Sequence, residues 1–336
     1  ILVNKLVDLN IISNLVNKNN CAYVAFSGGS DSAALLYACS LLNKDGRLDN
    51  LKAIHINHNL SSNADLWENH CIKLCKKLDI ELIVENITIK TDKDGLESAA
   101  RKGRYDVFSK IVKKNEQLLL AHHADDVAET ILFRLFRGTG LDGLQGPKPI
   151  REIGEGTLIR PLLKFSKAEL LDFIKINKVD FIEDESNQES SQDRNYIRNS
   201  IMPLVNKRWQ NSQKRIQLTS ELIQEKQEIF NNLFSEKFSK IIINNVMPVE
   251  ELKALKENEA KELLRHLISI NNIAMPSKKV LDEIMKTFYK SNPSKSAIVK
   301  WSRSDKEQKG GCISFEQDFI EINEIEYSGV IKIYQR

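Results

Sequence analysis

Phe26 closes a short run of β-forming residues at positions 22–26, and the chain then reads Ser27-Gly28-Gly29-Ser30-Asp31-Ser32 before an apolar helical stretch opens at Ala33. A strand that enters a helix through two adjacent glycines leaves few folds open, because the turn is tight and the helix must pack back on its own sheet. Three further β-rich runs, at 51–56, 81–84 and 118–121, each lead into a stretch of helical periodicity. Strands alternating with helices imply βαβ crossovers and a parallel sheet. The expectation is an α/β fold with a parallel sheet flanked by helices. Ligands of such sheets bind beyond the carboxyl ends of the strands. The unusual residues follow Phe26, Ile56 and Ala121, at those ends.

From about residue 193 the strand signal stops. Residues 212–240 carry apolar side chains at helical spacing (Ile216, Leu222, Ile223, Ile229, Phe230), and 249–270 and 277–289 are two more helical stretches, the last introduced by Pro276 and Ser277 as an N-cap. Short β runs near 311–315 and 319–322 close the chain. The pattern predicts a catalytic domain over 1–192, a basic linker over 193–215, and a smaller, mainly helical domain with a short β tail over 216–336.

A chain of 336 residues is long enough for two domains, and 49 Lys+Arg against 46 Asp+Glu leave a net charge of +3. That near-balance argues against a polybasic coat. No apolar run approaches the roughly 18 residues of a membrane span. Lys5 and Asp8 interrupt the opening segment, which does not read as a signal peptide. The five cysteines, at 21, 39, 71, 75 and 312, form no disulfide framework, so a cytoplasmic location is expected. Cys71 and Cys75 lie one helical turn apart, but no second pair completes four metal ligands, and they read as structural.

Two adjacent glycines let several N–H groups point at one spot, and the helix that follows adds its positive end, so the natural guest of the 27–32 turn is a phosphate or pyrophosphate. Ser27, Ser30 and Ser32 add hydroxyl donors, and Asp31 is a candidate magnesium ligand. No Gly-Lys-Ser/Thr ending is present, which excludes a Walker A loop, and the Gly-x-Gly-x-x-Gly spacing of dinucleotide folds is also missing. After the fourth strand, His122-His123-Ala124-Asp125-Asp126-Val127-Ala128-Glu129-Thr130 opens a helix. Asp126 and Glu129 are three apart and share one face. Acidic groups suit a helix N-terminus, yet three carboxylates and two imidazoles within eight residues exceed what a cap needs. Upstream, Arg101 and Arg104 sit one helical turn apart.

The 27–32 string resembles the pyrophosphate loop of the ATP-pyrophosphatase (PP-loop) superfamily. With His55-Ile-Asn-His58-Asn-Leu60, Glu97-Ser-Ala-Ala-Arg101-Lys-Gly-Arg104-Tyr105, the His123–Thr130 segment, Arg137-Gly-Thr-Gly140, Ile159-Arg-Pro-Leu162, and Glu183-Asp-Glu-Ser-Asn187 through Arg194 to Arg198, in that order, the chain resembles the tRNA(Ile)-lysidine synthases. The resemblance spans roughly residues 22–200, and the helical region up to Ile322 is similar to the family's first C-terminal tRNA-binding domain. Longer members carry a further domain.

That resemblance implies a five-stranded, Rossmann-like parallel sheet with helices on both faces, and an ATP-dependent carbon–nitrogen ligase. ATP adenylates the carbon 2 carbonyl of the wobble cytidine in a CAU-anticodon tRNA(Ile), releasing pyrophosphate, and free L-lysine displaces AMP to give lysidine. It implies ATP contacts from Ser27, Gly28, Gly29, Ser30, Asp31, Ser32 and His55, with Mg2+ on Asp31. The lysine amine has an ordinary pKa near 10.4, so at pH 7 its neutral form costs roughly 4–5 kcal/mol. Asp126 and Glu129 are the candidates to orient it, one of them or a phosphate oxygen taking its proton. Arg101 or Arg104 would meet the lysine carboxylate or the adenylate phosphate. A homodimer is left open.

Arg194, Arg198, Lys207, Arg208, Lys214 and Arg215 occur with no Asp or Glu among them, beside Tyr196 and Trp209. Position at a domain junction favours tRNA phosphate contact, with Arg194, Arg198, Lys207 and Arg208 as the candidates. Among rivals, a tRNA thiolase would need Cys-x-x-Cys pairs, which the sequence lacks. GMP or NAD synthesis leaves the helical tail and basic junction unexplained, and a non-catalytic RNA-binding module leaves the acidic corner without a purpose.

Overall fold

The computed structural model of the chain describes residues 7–58, 63–88, 96–183, 193–239, 241–242, 245–271, 273–302 and 309–325. Asn59 and Leu60, the side chain of Glu97, and the 184–187 part of the motif beginning at Glu183 lie outside them. The chain divides into two compact units, Ile1–Gln224 and Glu225–Arg336.

The first unit opens with α1 (Leu9–Leu15) and alternates β1 (Ala22–Ala25), α2 (Ser30–Lys44), β2 (Leu51–Asn57), α3 (Ala64–Leu78), β3 (Glu81–Asn86), α4 (Leu96–Ile111), β4 (Gln117–Leu119) and α5 (Ala124–Phe136). A single turn, α6 (Leu141–Leu144), precedes the hairpin β5 (Ile150–Ile153) and β6 (Gly156–Ile159), and α7 (Lys167–Ile176) follows. The sheet order is β3-β2-β1-β4-β6-β5. The five strands from β3 to β6 are parallel, as expected, and β5 adds a sixth, antiparallel strand on the edge. The order reverses between β1 and β4, so a crevice opens beyond their carboxyl ends.

Side chains alternate across the pleat. Ala22 and Val24 join the face packed by α1, α2, α3 and α7, while Tyr23 joins the α4 face with Phe108 and Leu118. Leu35 and Leu36 of α2 are fully buried, each contributing about 1.5–3 kcal/mol. Tyr37 of α2 meets Phe173 of α7 at 5.7 Å between ring centres.

Residues 193–215, expected as a linker, pack instead into the first unit. There, α8 (Asp193–Tyr196) runs through a π-helical turn (Ile197–Ile201) into α9 (Met202–Arg208), and Ile197 and Met202 are buried with Ala128 of α5. The expected boundary at 215–216 also moves. The long α10 (Ser212–Phe238) sets Ile216 against Val127 and Leu163, and Ser220 Oγ donates to the Gln145 carbonyl at 2.5 Å. The division between units therefore falls inside this helix, after Gln224.

The second unit is less purely helical than its periodicity suggests. The expected helix over 249–270 breaks at an extended Leu255 into α11 (Val249–Ala254) and α12 (Glu257–Ile270), and α13 (Lys278–Ile284) ends in a second π-helical turn (Met285–Lys290). The β tail is part of a four-stranded antiparallel sheet, ordered β7 (Val246–Pro248), β10 (Phe319–Ile325), β9 (Gly310–Glu316) and β8 (Ile298–Trp301). Leu263, Leu264, Leu267, Phe288, Ile313 and Ile320 form its core. The Trp301 indole N–H reaches the Ala274 carbonyl at 2.5 Å.

Candidate functional site

The glycine-serine turn is held open by its own side chains. Gly28 has φ +88, a backbone angle that favours glycine, and a Cβ there would sit tightly, 3.2 Å from Cys71 Sγ. Ser32 Oγ donates to the Gly29 carbonyl (2.9 Å) and accepts from the Ser27 amide (3.3 Å), with Ser27 Oγ 3.2 Å away. The carbonyl of Gly28 accepts from the Ile182 amide at 2.9 Å, which ties down the outer side of the loop. Gly29, the N-cap of α2, offers the helix no side-chain cap, so the amides of Ser30, Asp31 and Ser32 face the crevice as anion donors. His55, expected among the ATP contacts, is buried beneath the loop with Nδ1 2.9 Å from the Phe26 carbonyl.

Opposite the loop stands the N-terminus of α5. The His123 ring lies with Nε2 3.6 Å from Asp31 Oδ2 and 3.5 Å from Asp126 Oδ2, and Nδ1 3.5 Å from Asp125 Oδ2. Burial opposes its protonation, but Asp126, Asp125 and Asp31 outweigh that and hold its pKa up at about 10. Burial likewise works against the Asp126 charge, and His123 and Arg194 reverse it, keeping the carboxyl far below the usual range. His122, next along the chain, goes the other way: burial, with help from Arg160 and Arg101, lowers it to about 3, and Arg160 Nε donates to its Nδ1 at 3.1 Å.

Glu129 is 2% exposed and fully paired. Arg198 meets it through Nε to Oε1 (2.7 Å) and Nη2 to Oε2 (2.8 Å), and Arg194 adds Nε to Oε2 (3.1 Å) and Nη2 to Asp126 Oδ1 (3.3 Å). Arg194 and Arg198, expected on a phosphate-contacting surface, thus lie on the two carboxylates expected to hold lysine. The long reach from α8 and its π turn to α5 is what joins them. Lys207 and Arg208 stay exposed at the end of α9, beside Trp209. Lys214 is tied to Glu169 at 2.6 Å.

Arg101 and Arg104 sit on α4 near the same strand ends. The Arg101 guanidinium lies 5.3 Å from the centre of the Tyr105 ring, with Arg151 5.0 Å from it. Burial and the Arg104 charge lower His58 to about 4.

Sequence reasoning missed Lys167. Its ammonium donates to Ser30 Oγ and to Asp31 Oδ1, each at 2.6 Å, and its amide donates to Asp125 Oδ2 at 2.8 Å. The available signal was the capping box, in which Ser166 caps α7 and Glu169 returns to the Ser166 amide. That box marks a helix start just past the end of β6, on the ligand side of the sheet.

Asp31 is a third exposed and stands at the loop mouth. One carboxylate beside a polyphosphate cradle fits Mg2+, which is held by one or two carboxylates plus substrate phosphates rather than by an all-protein cage. Among the described residues no cluster of three His, Cys, Asp or Glu side chains could hold a metal by itself. Cys71 and Cys75 are buried and form no disulfide, and Cys71 Sγ lies 3.4 Å from His55 Nδ1.

A family profile described as "PP-loop domain" matches residues 4–205. The tRNA(Ile)-lysidine synthase of Histophilus somni (strain 129Pt) is 36% identical over 279 residues, covering 82% of this chain and 65% of that protein. The synthase of Buchnera aphidicola subsp. Baizongia pistaciae is 35% identical over 263 residues, 78% of this chain and 60% of its own. The chain therefore spans under two thirds of the length of these relatives. Among solved structures, the U34-tRNA thiolase NcsA from Methanococcus maripaludis, with its [4Fe-4S] cluster, superposes with a TM-score of 0.53 at 18% identity. The match covers 66% of this chain and 80% of that one, a likeness of fold.

Proposed function

The chain belongs to the PP-loop domain family, and from that premise we propose that it ligates free L-lysine to carbon 2 of the wobble cytidine of a CAU-anticodon tRNA(Ile), with ATP as the activating substrate. The observation that carries the reading is the pairing of two unlike half-sites across one crevice: an uncapped, serine-lined helix N-terminus for phosphates, and a buried acidic corner on α5 for a cation. The lysidine synthases among the relatives supply the reaction that needs both.

In the first step the cytosine carbonyl oxygen attacks the α-phosphorus, and the electron pair of the breaking bond leaves with pyrophosphate. The α2 amides and the Ser27 and Ser30 hydroxyls meet the developing charge, while Ser32, its hydroxyl committed to the Gly29 carbonyl, holds the loop in shape. Asp31 would hold Mg2+, which supplies further charge neutralisation when bound. In the second step the lysine amine attacks carbon 2 and AMP departs. Asp126 and Glu129 draw the lysine ammonium in, where it competes with Arg194 and Arg198 for the same oxygens. The proton lost on attack passes to a carboxylate or to a phosphate oxygen. Arg101 and Arg104, from α4, are available to the lysine carboxylate or the adenylyl phosphate. Exposed Lys207 and Arg208 contact the tRNA backbone. A cytoplasmic location follows from the substrates, and no helix among the described residues is long and apolar enough to cross a membrane.

Thiolation has less support. Burial pushes the Cys39, Cys71 and Cys75 thiols up to about 12, which keeps them protonated and unreactive.

The deciding assay supplies ATP, radiolabelled lysine and CAU-anticodon tRNA(Ile), and follows acid-stable label in the RNA together with pyrophosphate release. Label that depends on ATP and on the CAU anticodon is expected. Pyrophosphate released with tRNA but no lysine incorporated would overturn the proposal.

A further inference from the structure

Arg198 grips Glu129 with the edge of its guanidinium that carries Nε and Nη2. The same two nitrogens of Arg151 are buried and meet no hydrogen-bond partner, and the Tyr105 hydroxyl, also buried, meets none either. The Arg151 guanidinium lies 5.0 Å from the centre of the Tyr105 ring and that of Arg101 lies 5.3 Å from it, so two cations share one aromatic side chain. A ring face offsets part of the cost of burying a guanidinium but leaves its N–H edge unpaired. Native structures pair their buried donors, and three left open on neighbouring side chains are what an anion site presents. In the edge hairpin Ile150 pairs with Ile159, the last residue of β6, and Arg151 with Leu158, which sets Arg151 near the ligand end of the sheet. Tyr105 packs on the α4 face, whereas α2 packs on the other, so these donors stand apart from the polyphosphate cradle.

We propose that Arg151 and Tyr105 hold the carboxylate of the amino-acid substrate, Arg151 through its Nε–Nη2 edge and Tyr105 through its hydroxyl. This rests on free lysine being the second substrate. The first support is the donor pattern: the two oxygens of a carboxylate match that edge of a guanidinium and keep lone pairs for an O–H. The second is enclosure. Buried donors suit a small ligand group, whereas an RNA backbone is met by cations at the surface, as Arg104, Lys207 and Arg208 are. The third is continuity with the acidic corner. Burial first, then the charges of Arg160 and Arg101, lower His122 against the opposing pull of Asp126. The electrostatic neighbours of Asp126 thus lead through Arg101 to Tyr105 and Arg151. No bond is made or broken here: the pair positions the amino acid and selects it. A diamine without a carboxylate leaves the donors open and is disfavoured.

Proton–nitrogen spectra of the arginine Nε–H groups, with the Arg151 resonance assigned by its loss in Arg151→Lys, test the assignment by titration with L-lysine and with 1,5-diaminopentane. The Arg151 resonance should move with L-lysine and stay in place with the diamine. In the complete reaction Arg151→Met should raise KM for lysine by about ten- to a hundred-fold, more than it lowers kcat, and Arg151→Lys should recover part of that loss. Tyr105→Phe removes one neutral donor and should raise KM by less, about two- to ten-fold. Affinity for tRNA and its salt dependence should match wild type in all three. A resonance that L-lysine leaves in place, or that the diamine moves equally, overturns the proposal. So does weaker tRNA binding by Arg151→Met at an unchanged KM for lysine, which would give the edge to an RNA phosphate. A wild-type protein that forms no lysidine defeats the proposed reaction alone, because the titration contains neither ATP nor tRNA and reads the carboxylate site by itself.

Discussion

Arg198 grips Glu129 with both edges matched, Nε on Oε1 at 2.7 Å and Nη2 on Oε2 at 2.8 Å, on a carboxylate only 2% exposed. A planar guanidinium suits this two-point contact and a lysine would not, since its ammonium meets the pair as a single point. Removing one partner of a buried pair costs about 3–5 kcal/mol, because the other charge is stranded. Arg198 is 36% exposed and Arg194 shares the load, so Arg198→Ala should sit at the low end, about 3 kcal/mol. Glu129→Ala strands two arginines that can turn to water and should cost less. Urea denaturation of both single variants and the double variant should give a coupling of about 1 kcal/mol or more. Strict additivity would mean that the contact contributes nothing.

How far this corner was legible in the sequence follows from the distances along the chain. The 27–32 loop could be read directly, because glycine conformation, serine capping and the following apolar helix are all local properties. Asp126 and Glu129 were legible as a shared face through helical spacing. Their partners were not: Arg194 and Arg198 follow them by 65 or more residues, in a stretch without acids that looked like a free basic surface until tertiary packing brought it to α5. Lys167 was hidden for the same reason. The edge hairpin escaped because residues 150–153 mix Ile with Arg and Glu. Its one local mark is Gly154, at φ +55 in a two-residue turn, where a Cβ would meet the Ser109 carbonyl at 2.5 Å. The π-helical turn at Ile197–Ile201 has a local mark in Pro203, which cannot donate to the residue 199 carbonyl, whereas the turn at Met285–Lys290 contains no breaker residue.

The two adjacent histidines should titrate in opposite directions. His123 has a folded pKa of about 10 against 6.5 for the free ring, so its contribution to stability is fully present below about 6.5 and is lost as the pH rises through 10. His122 is lowered to about 3, so its neutral ring favours the fold above 6.5, and that advantage is lost as the pH falls toward 3. The difference in urea midpoint between wild type and His123→Gln should therefore be largest near pH 6 and vanish above pH 10. Imidazole nitrogen shifts should show His123 as a cation and His122 as a neutral ring at pH 7. A His123 ring that titrates near 6.5 would remove the electrostatic account of the corner.

The exposed end of α9 gives the last expectation its form. Lys207 and Arg208 project from its final turn with Trp209 beside them, 55% exposed, and no ion pair in the described structure neutralises either cation. If they lie on tRNA phosphates, each releases about one counterion on binding. Lys207→Gln and Arg208→Gln should then each weaken tRNA binding and flatten the plot of log affinity against log salt by about one unit of slope. Arg194→Gln should behave differently, because its charge is spent on Glu129 and Asp126 in the free protein. Its loss should alter the acidic corner and lysine use more than the salt slope. Filter binding from 50 to 300 mM KCl separates the two classes. Equal slopes for wild type and the Lys207, Arg208 double variant would remove α9 from the RNA-binding surface.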